Sequence, residues 1–332
     1  MKLLHTGSYF RGLVARPATA ALLTLGLLAV APQFSSSVSA KANAASCTTP
    51  VTSVPTGRAT VSTKSTQFGT VLSVGSGAFS GCSLYLLTSD QLQSLTFGLA
   101  AFACSNGPNP IGQPCDTVLW PALLTKGAPI AGPGVNHKLL GTVTRADVLA
   151  GESVQQVTYA GLPLYRFFQD ESPEETDGAN LFDPVTSPPG TWYLVEPGRG
   201  HPAPGRLQMQ VEKVSGSKVL AATMDNDFSL LPQGTFPVYT LSNKKGQACQ
   251  TYCALLWPPV LTSGQPEAGK GVDQHALGVV VRPDGTRQVT YKGKPLYLFI
   301  KDAYIPGVIG TQSINGAGAS TPWGVFNTIP LS

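Results

Sequence analysis

The chain has 332 residues, of which 42% are hydrophobic and only 12% are charged, and its formal net charge is +4. This length is sufficient for two domains with substantial cores. The charged share is about half of the usual one, and Ser, Thr, Gly and Pro replace the missing charges, which favours strands and turns over surface helices. The basic residues form no stripe, so nucleic acid is excluded as an expected partner.

Residues 1–40 have the pattern of a signal peptide. An apolar stretch at residues 18–31 follows basic residues, and small residues offer a cleavage site after Ala40, with a second candidate after Ala44. An uncleaved membrane anchor is the alternative, but this stretch is short for a transmembrane helix and no later stretch is long enough. The sequence therefore predicts a secreted or envelope-associated protein. Cleavage would leave it close to neutral, since the leader contains Lys2, Arg11 and Arg16 and no acidic residue.

The second half of the chain repeats the first. The stretch "QVTYAGLPLYRFFQD" at residues 156–170 corresponds to "QVTYKGKPLYLFIKD" at 288–302, and "LWPALLT" at 119–125 corresponds to "LWPPVLT" at 256–262. A period of this length indicates duplicated domains, because the repeats of a solenoid are much shorter.

The duplication predicts the domain boundaries. After the leader comes a Ser/Thr-rich N-terminal segment at residues 41–69, and its residues 41–67 are expected to be poorly ordered. The first repeat domain is predicted at 70–197 and the second at 219–332. Between them lies a linker at 198–218 that begins with a Gly/Pro-rich stretch.

Each repeat has the local pattern of a small β-rich domain. In the first copy, the β-branched runs "GTVTR" and "QVTY" and the run "PLYRF" are separated by turn residues, which predicts an antiparallel meander of three strands. A further strand is predicted around Tyr239. The segment before Trp257 and Pro258 predicts a short helix that ends before the proline. The predicted fold class is therefore mainly β, with two homologous domains and short helical segments before the Trp-Pro motifs.

Both copies keep a tyrosine, a phenylalanine and an aspartate in the same order: Tyr165, Phe167 and Asp170, then Tyr297, Phe299 and Asp302. The tyrosine and the phenylalanine share one face of a strand, and the aspartate falls at the strand end. One interpretation makes the aromatic residues part of the core and the aspartate a turn residue. The other makes them a ligand-binding cleft for a sugar, a peptide or a cation.

All six cysteines lie beyond the leader, and an even number in an exported protein indicates disulfides. Local pairs are predicted between Cys249 and Cys253 and between Cys104 and Cys115, which leaves Cys47 with Cys82. A redox-active or metal-binding pair at Cys249 and Cys253 is the functional alternative, although no histidine stands near it to complete a zinc site. A lipid anchor on Cys47 is a further alternative, but the apolar stretch does not lie directly before it.

The sequence contains no convincing catalytic set. It has neither a G-x-S-x-G nor an H-E-x-x-H motif, and no haem-attachment or phosphate-binding motif, so no cofactor and no metal are predicted. The histidines outside the leader, His137, His201 and His275, do not occupy equivalent positions in the two copies. The sequence therefore favours a non-enzymatic protein, and a hydrolase would need a nucleophile that no motif supplies.

The chain resembles the bacterial secreted repeat of unknown function, a family of predicted lipoproteins with a Tyr-x-(Phe/Trp/Tyr)-x-x-Asp motif. The stretches "YRFFQD" at residues 165–170 and "YLFIKD" at 297–302 fit that motif, and the flanking "LWPP" and "RPDGTRQVTY" also match. The resemblance implies a secreted or envelope protein with tandem copies, and it implies no activity.

These observations lead to two functional hypotheses. The first is a non-enzymatic module that binds a small molecule, a glycan or an envelope protein through its aromatic and aspartate side chains. The second is a redox or metal-handling protein that uses Cys249 and Cys253.

Overall fold

The computed structural model describes residues 46–90, 102–107, 112–183, 186, 190–214, 216–223, 235–244, 246–302 and 313–331. The predicted signal peptide lies outside these residues. All described residues belong to one compact unit. No helix among them has the length and the apolar character that a membrane crossing requires.

The prediction of a mainly β fold is confirmed. The strands of the first half are β1 Thr60–Thr66, β2 Gly69–Val74, β3 Tyr85–Leu87, β4 Leu124–Thr125, β5 Ile130–Ala131, β6 Leu140–Arg145, β7 Val154–Tyr159, β8 Leu162–Pro163, β9 Phe182–Asp183, β10 Gly190–Val195 and β11 Pro202–Ala203. Those of the second half are β12 Gln208–Val214, β13 Ser217–Thr223, β14 Thr235–Pro237, β15 Tyr239–Ser242, β16 Glu267–Ala268, β17 Leu277–Val281, β18 Arg287–Tyr291, β19 Lys294–Tyr297, β20 Ala319–Thr321 and β21 Gly324–Thr328.

The helical segments are short, and two of them precede the Trp-Pro motifs as predicted. Helix α1 covers Tyr252–Leu256 and ends before Trp257, and a π-helical turn covers Cys115–Leu119 before Trp120. Single 3₁₀ turns at His137–Leu139 and Gln274–Ala276 lead into β6 and β17. A proline after each tryptophan pushes the preceding residue out of the helical region, which ends these segments.

The predicted meander is present in both copies. Strands β6, β7 and β8 pair antiparallel in sequence order, as do β17, β18 and β19. The tight turn before β8 has positive φ at Ala160 and Gly161, and the turn before β19 has it at Lys292 and Gly293. Two consecutive positive φ values are typical of the type I′ hairpin, whose twist matches that of the flanking strands.

Each copy also begins with a hairpin that the sequence patterns did not indicate. Strand β1 pairs antiparallel with β2 and parallel with the short strand β5. Strand β12 repeats this arrangement with β13 and β16. Strand β1 lies in the segment predicted to be poorly ordered, and that expectation was wrong for Thr60–Thr66. Strand β12 begins within residues 198–218, the predicted linker. The domain boundaries themselves stay a prediction.

The cores of the two copies are in contact. Leu261 of the second copy packs in a cluster with Leu86, Leu164 and Tyr193 of the first. Phe182 of the first copy belongs to a core cluster of the second, and its ring centroid lies 5.8 Å from that of Phe236. The two copies therefore form a common body with an interface between them.

Candidate functional site

A tryptophan lies between two aromatic rings at the centre of each copy. In the first copy, the Trp120 ring stacks on Trp192 with centroids 3.7 Å apart, and Phe167 covers its other face at 4.3 Å. In the second copy, Trp257 lies between Phe326 at 3.7 Å and Phe299 at 4.2 Å.

A tyrosine packs in a T-shaped geometry against the tryptophan in each copy. The ring centroids of Tyr85 and Trp120 lie 5.5 Å apart, and those of Tyr239 and Trp257 lie 5.3 Å apart. These side chains bury large apolar areas and adopt preferred aromatic geometries, so they form the centre of each core.

A glycine makes room for the tryptophan ring. A Cβ atom on Gly178 would lie 2.7 Å from Cη2 of Trp120, and one on Gly316 would lie 2.6 Å from Cη2 of Trp257. Both distances are shorter than any normal contact between carbon atoms. The loop after each Tyr-x-Phe-x-x-Asp motif therefore needs a glycine where it crosses the ring.

The aspartate of each motif accepts a hydrogen bond from the tyrosine that meets the tryptophan. Tyr85 Oη donates to Asp170 Oδ2 at 2.7 Å, and Tyr239 Oη donates to Asp302 Oδ2. The second carboxylate oxygen accepts from a loop amide, which is Asp177 N at 2.9 Å in the first copy and Asn315 N at 2.8 Å in the second. Each aspartate thus links a core tyrosine, through hydrogen bonds, to the loop that contains Gly178 or Gly316.

The six side chains predicted as a ligand site are mostly buried. Tyr165, Phe167, Asp170, Tyr297 and Asp302 are at most 5% exposed, and Phe299 is partly buried. Tyr165 Oη donates to Asp90 Oδ2 at 2.8 Å, whereas Tyr297 Oη accepts from Cys249 N at 3.1 Å. This burial agrees with the core interpretation of the motif. A binding role for the six residues stays a prediction.

Burial of these carboxyl groups should make stability depend on pH. Burial raises the pKa of Asp170 to about 7 and the pKa values of Asp90 and Asp302 to about 6. In the unfolded chain an aspartate titrates near pH ~3.9. The folded protein therefore holds these protons more tightly, and the stabilisation is complete below the unfolded pKa and is lost as the pH rises through 6 and 7.

We expect the free energy of unfolding to be about 5 kcal/mol higher near pH ~5 than near pH ~8, with Asp170 supplying about half of the difference. Urea unfolding at the two pH values measures it. The variant D170N should reduce the difference, because an amide does not titrate. A free energy of unfolding that rises between the acidic and the basic condition would contradict the prediction.

The two copies differ in how they neutralise an equivalent arginine. Arg145 is fully buried and forms ion pairs with Asp116 at 2.8 Å and with Asp147 at 2.7 Å. Arg282 occupies the corresponding place in "VVVRPD" and has one carboxylate partner, Asp284, at 3.6 Å. Both arginines also donate to a buried glutamine and to a carbonyl of the cysteine loop.

The structure contains the three disulfides that the sequence predicts: Cys47–Cys82, Cys104–Cys115 and Cys249–Cys253. Every cysteine takes part in one of them. Cys249 and Cys253 are each 1% exposed and pack against Trp257 in the second core. The Cys47 sulfur, which a lipid anchor would need, is bonded to Cys82.

A cleft of about 420 Å³ opens between the two copies. The first copy lines it with Leu86 of strand β3, Ser89 of the following turn, and Thr191 and Tyr193 of strand β10. The second copy lines it with helix α1 and the 283–286 turn, and residues 199–202 also line it. The cleft thus combines both repeats and the segment that joins them.

Polar groups without hydrogen bonds concentrate in the walls of this cleft. Among the described residues, the buried side-chain atoms without a short hydrogen bond include Ser89 Oγ, Thr191 Oγ1 and Arg282 Nε, and the nearest carboxylate oxygen to Arg282 Nε is Asp284 Oδ2 at 3.6 Å. All three residues line the cleft. Buried polar groups are nearly always satisfied, so such a concentration is typical of a site that receives polar groups from outside the chain.

The sequence patterns did not indicate this cleft, because its residues come from segments that are distant along the chain. One signal was present. The pairs Arg145 with Asp147 and Arg282 with Asp284 have the same spacing in both copies, and this marks the two arginines as equivalent.

The histidines do not form a shared site. His201 lines the cleft, whereas His275 is an exposed neighbour of Asp273 and His137 begins an exposed turn. Within the described part of the chain, no three His, Cys, Asp or Glu side chains are grouped so that they could hold a metal ion.

Comparison with known proteins identifies the repeat. The family model described as a secreted repeat of unknown function matches residues 142–183 and again residues 278–317. Each match begins in the first strand of a meander and extends beyond the Tyr-x-Phe-x-x-Asp motif. No curated protein and no solved structure matches the chain. The disulfides agree with a location outside the reducing cytoplasm. The chain therefore carries two tandem copies of this secreted repeat and is an extracytoplasmic protein.

Proposed function

We propose that this protein is a non-enzymatic binding module whose ligand occupies the cleft between the two repeats. The observation that carries the proposal is the group of unpaired polar atoms in the cleft walls. The polar side chains of the motif, by contrast, have hydrogen-bond partners elsewhere in the two cores. The cleft therefore replaces the motif as the preferred binding surface.

The size and the composition of the cleft support a small ligand. Its volume of about 420 Å³ falls in the range of small-molecule sites, roughly 300–1,000 Å³, and such sites often lie between domains. Apolar side chains, among them Leu86, Leu162, Leu255 and Leu261, supply most of the surface, and a few hydroxyl and charged groups stand between them. This mixture can bury an apolar body and orient a polar end.

The contacts in the cleft favour binding over hydrolysis. A serine, a histidine and an aspartate line it, which are the residue types of a hydrolytic triad. However, Ser89 Oγ accepts and donates no hydrogen bond among the described residues, and Asp284 accepts from Thr286 and pairs with Arg282. A nucleophile needs a base within hydrogen-bonding reach, and neither contact supplies one.

Burial argues against a redox role for Cys249 and Cys253. Arg282 lies close, since its Nη2 donates to the Cys249 carbonyl at 3.1 Å, but an incoming thiolate would have to open the second core to reach either sulfur. Reactive cysteines are usually partly exposed.

A variant that fills the cleft tests the proposed function. Ala254 is a half-buried residue of helix α1 that lines the cleft, whereas Ala248 is exposed in the same cysteine loop and does not line it. A library of small organic acids, amides, amino acids and sugars would be screened by ligand-observed NMR against the exported protein. Compounds that bind the wild type should be lost in A254W and retained in the matched control A248W.

Two results would contradict the proposal. In one, no compound of the library binds the wild type. In the other, the bound compounds bind A254W as tightly as they bind A248W, which would place their site elsewhere.

A further inference from the structure

We infer that the ligand of the cleft carries a carboxylate, which the positive group formed by Arg282 and Arg199 recognises. This inference rests on the proposed function and adds the chemical class of the ligand. The inference is based on a comparison of the two repeats. The first repeat shows which groups surround a fully neutralised arginine at the equivalent position.

In the first repeat, the arginine has a carboxylate on two sides. Nη2 of Arg145 donates to Asp116 and Asp147, and its Nε donates to Asp147 at 2.8 Å. Asp116 is completely buried, so this ion pair is fully desolvated. A buried guanidinium is stable when such partners satisfy its charge and its donors.

In the second repeat, one of these carboxylates is absent. The alignment of "DTVLWP" with "CALLWP" puts Cys253 where the first repeat has Asp116, and the sulfur of Cys253 is used in a disulfide. Arg282 is nevertheless only 7% exposed. Its Nε lies 3.6 Å from Oδ2 of Asp284, a longer contact than those of Arg145. Asp284 is its one carboxylate partner among the described residues, and the Asp284 side chain is 53% exposed. Arg282 is therefore a buried cation that is neutralised less completely than Arg145.

The side of the cleft around Arg282 is positive overall. The Arg, Lys, His, Asp and Glu residues among the described lining are Arg199, His201, Arg282 and Asp284, and Tyr193 also lines the cleft as a neutral phenol. A Cβ atom on Gly285 would lie 3.7 Å from Arg199 Nη1 and 2.9 Å from His201 Cε1, so both side chains approach the turn that follows Arg282. Two guanidinium groups thus face one carboxylate, which leaves a positive charge for an anionic ligand. A planar guanidinium also matches the geometry of a carboxylate.

The remaining walls define the rest of the ligand. Leu255, Pro258 and Leu261 supply an apolar surface next to the positive side. Ser89 and Thr191 also line the cleft with hydroxyl groups, and Ser89 Oγ has no hydrogen-bond partner among the described residues. The arrangement fits a small carboxylic acid with an apolar chain or ring.

The test compares acids with uncharged molecules of the same shape. Hexanoate and phenylacetate would be titrated into the exported protein by NMR, with hexanamide and phenylacetamide as their counterparts. We expect each acid to bind at least about tenfold more tightly than its amide, since a charge-assisted hydrogen bond to the arginine is lost in the amide.

Two substitutions should change the affinity in opposite directions. D284N removes the competing carboxylate and keeps an oxygen for the Thr286 bonds, so phenylacetate should bind about threefold more tightly. R199Q should weaken its binding by about threefold. R206Q is the matched control, because Arg206 is an exposed arginine that pairs with Glu267 and does not line the cleft. A change in fold stability alone would not tighten binding in D284N.

The outcomes separate the inference from the proposed function. If the amides bind as tightly as the acids and A254W abolishes both, the cleft is a binding site and the carboxylate inference is wrong. If neither acid binds while other compounds bind in the cleft, the inference is wrong in the same way. If D284N weakens the binding of the acids as R199Q does, the assigned role of the positive group is contradicted.

Discussion

The variant W120A is expected to lose about 3–5 kcal/mol of its free energy of unfolding, the usual cost of removing a large buried aromatic side chain. Trp120 is only 2% exposed and is covered on both faces, by Trp192 and by Phe167. Alanine would leave a cavity that these two rings cannot fill by small movements, since the core around them is closely packed and the Asp170–Asp177 hydrogen bond holds the neighbouring loop.

The effect should be specific to the buried ring. Tyr252 is an aromatic residue of similar size that is 54% exposed on helix α1, so Y252A should change the free energy of unfolding by less than about 0.5 kcal/mol. Denaturant unfolding of both variants measures the difference. A loss in W120A no greater than that in Y252A would show that the stacked rings do not hold the first core together.

The variant R145L is expected to be destabilised by about 3–5 kcal/mol, because it leaves a buried carboxylate without its partner. Asp116 is completely buried, and its Oδ1 has no hydrogen-bond partner among the described residues. Loss of Arg145 would therefore leave this side chain with an unsatisfied charge. The added substitution D116N should recover part of the loss, since the amide carries no charge.

The second repeat provides the matched variant. Arg282 has a half-exposed aspartate as its one carboxylate neighbour, so R282L leaves no buried carboxylate behind and should cost clearly less than R145L. Urea unfolding of R145L, R145L/D116N and R282L would give the three free energies. Equal losses in R145L and R282L, or no recovery in the double variant, would contradict the difference that we describe between the two repeats.

The sequence predicts the part of the fold in which both copies contain hydrophobic alternation and tight turns. The meanders, the helical segments before Trp120 and Trp257, and the strand at Tyr239 all follow from such local patterns. The hairpins that begin each copy were missed. Strand β1, "TVSTKST", is polar and has one fully buried side chain, Val61, so neither strand periodicity nor hydrophobicity marks it.

The candidate site was less predictable for a physical reason. The repeated motif is prominent because the core requires it: the phenylalanine and the aspartate make the same contacts in both copies, and the tyrosine is buried in both. The cleft depends instead on the packing of one copy against the other, which a local pattern does not encode. Its most informative residue, Arg282, is recognisable only when the environment of Arg145 is available for comparison.

The duplication therefore serves as an internal control. Features present in both copies, such as the stacked tryptophan and the bond between tyrosine and aspartate, are sufficiently explained by the stability of the repeat. Features found in one copy are the better candidates for function. The incompletely neutralised Arg282 is such a feature, and it lies where the two copies meet.

The central claim is that the cleft between the repeats binds a ligand, and amide chemical shifts test it most directly. A compound that binds in the library screen would be added to the ¹⁵N-labelled exported protein and to its A254W variant. The account predicts that the largest shifts in the wild type fall on lining residues such as Gly200, Thr251 and Thr286, and that they disappear in A254W. Shifts confined to residues outside the cleft, or equal shifts in both proteins, would contradict it.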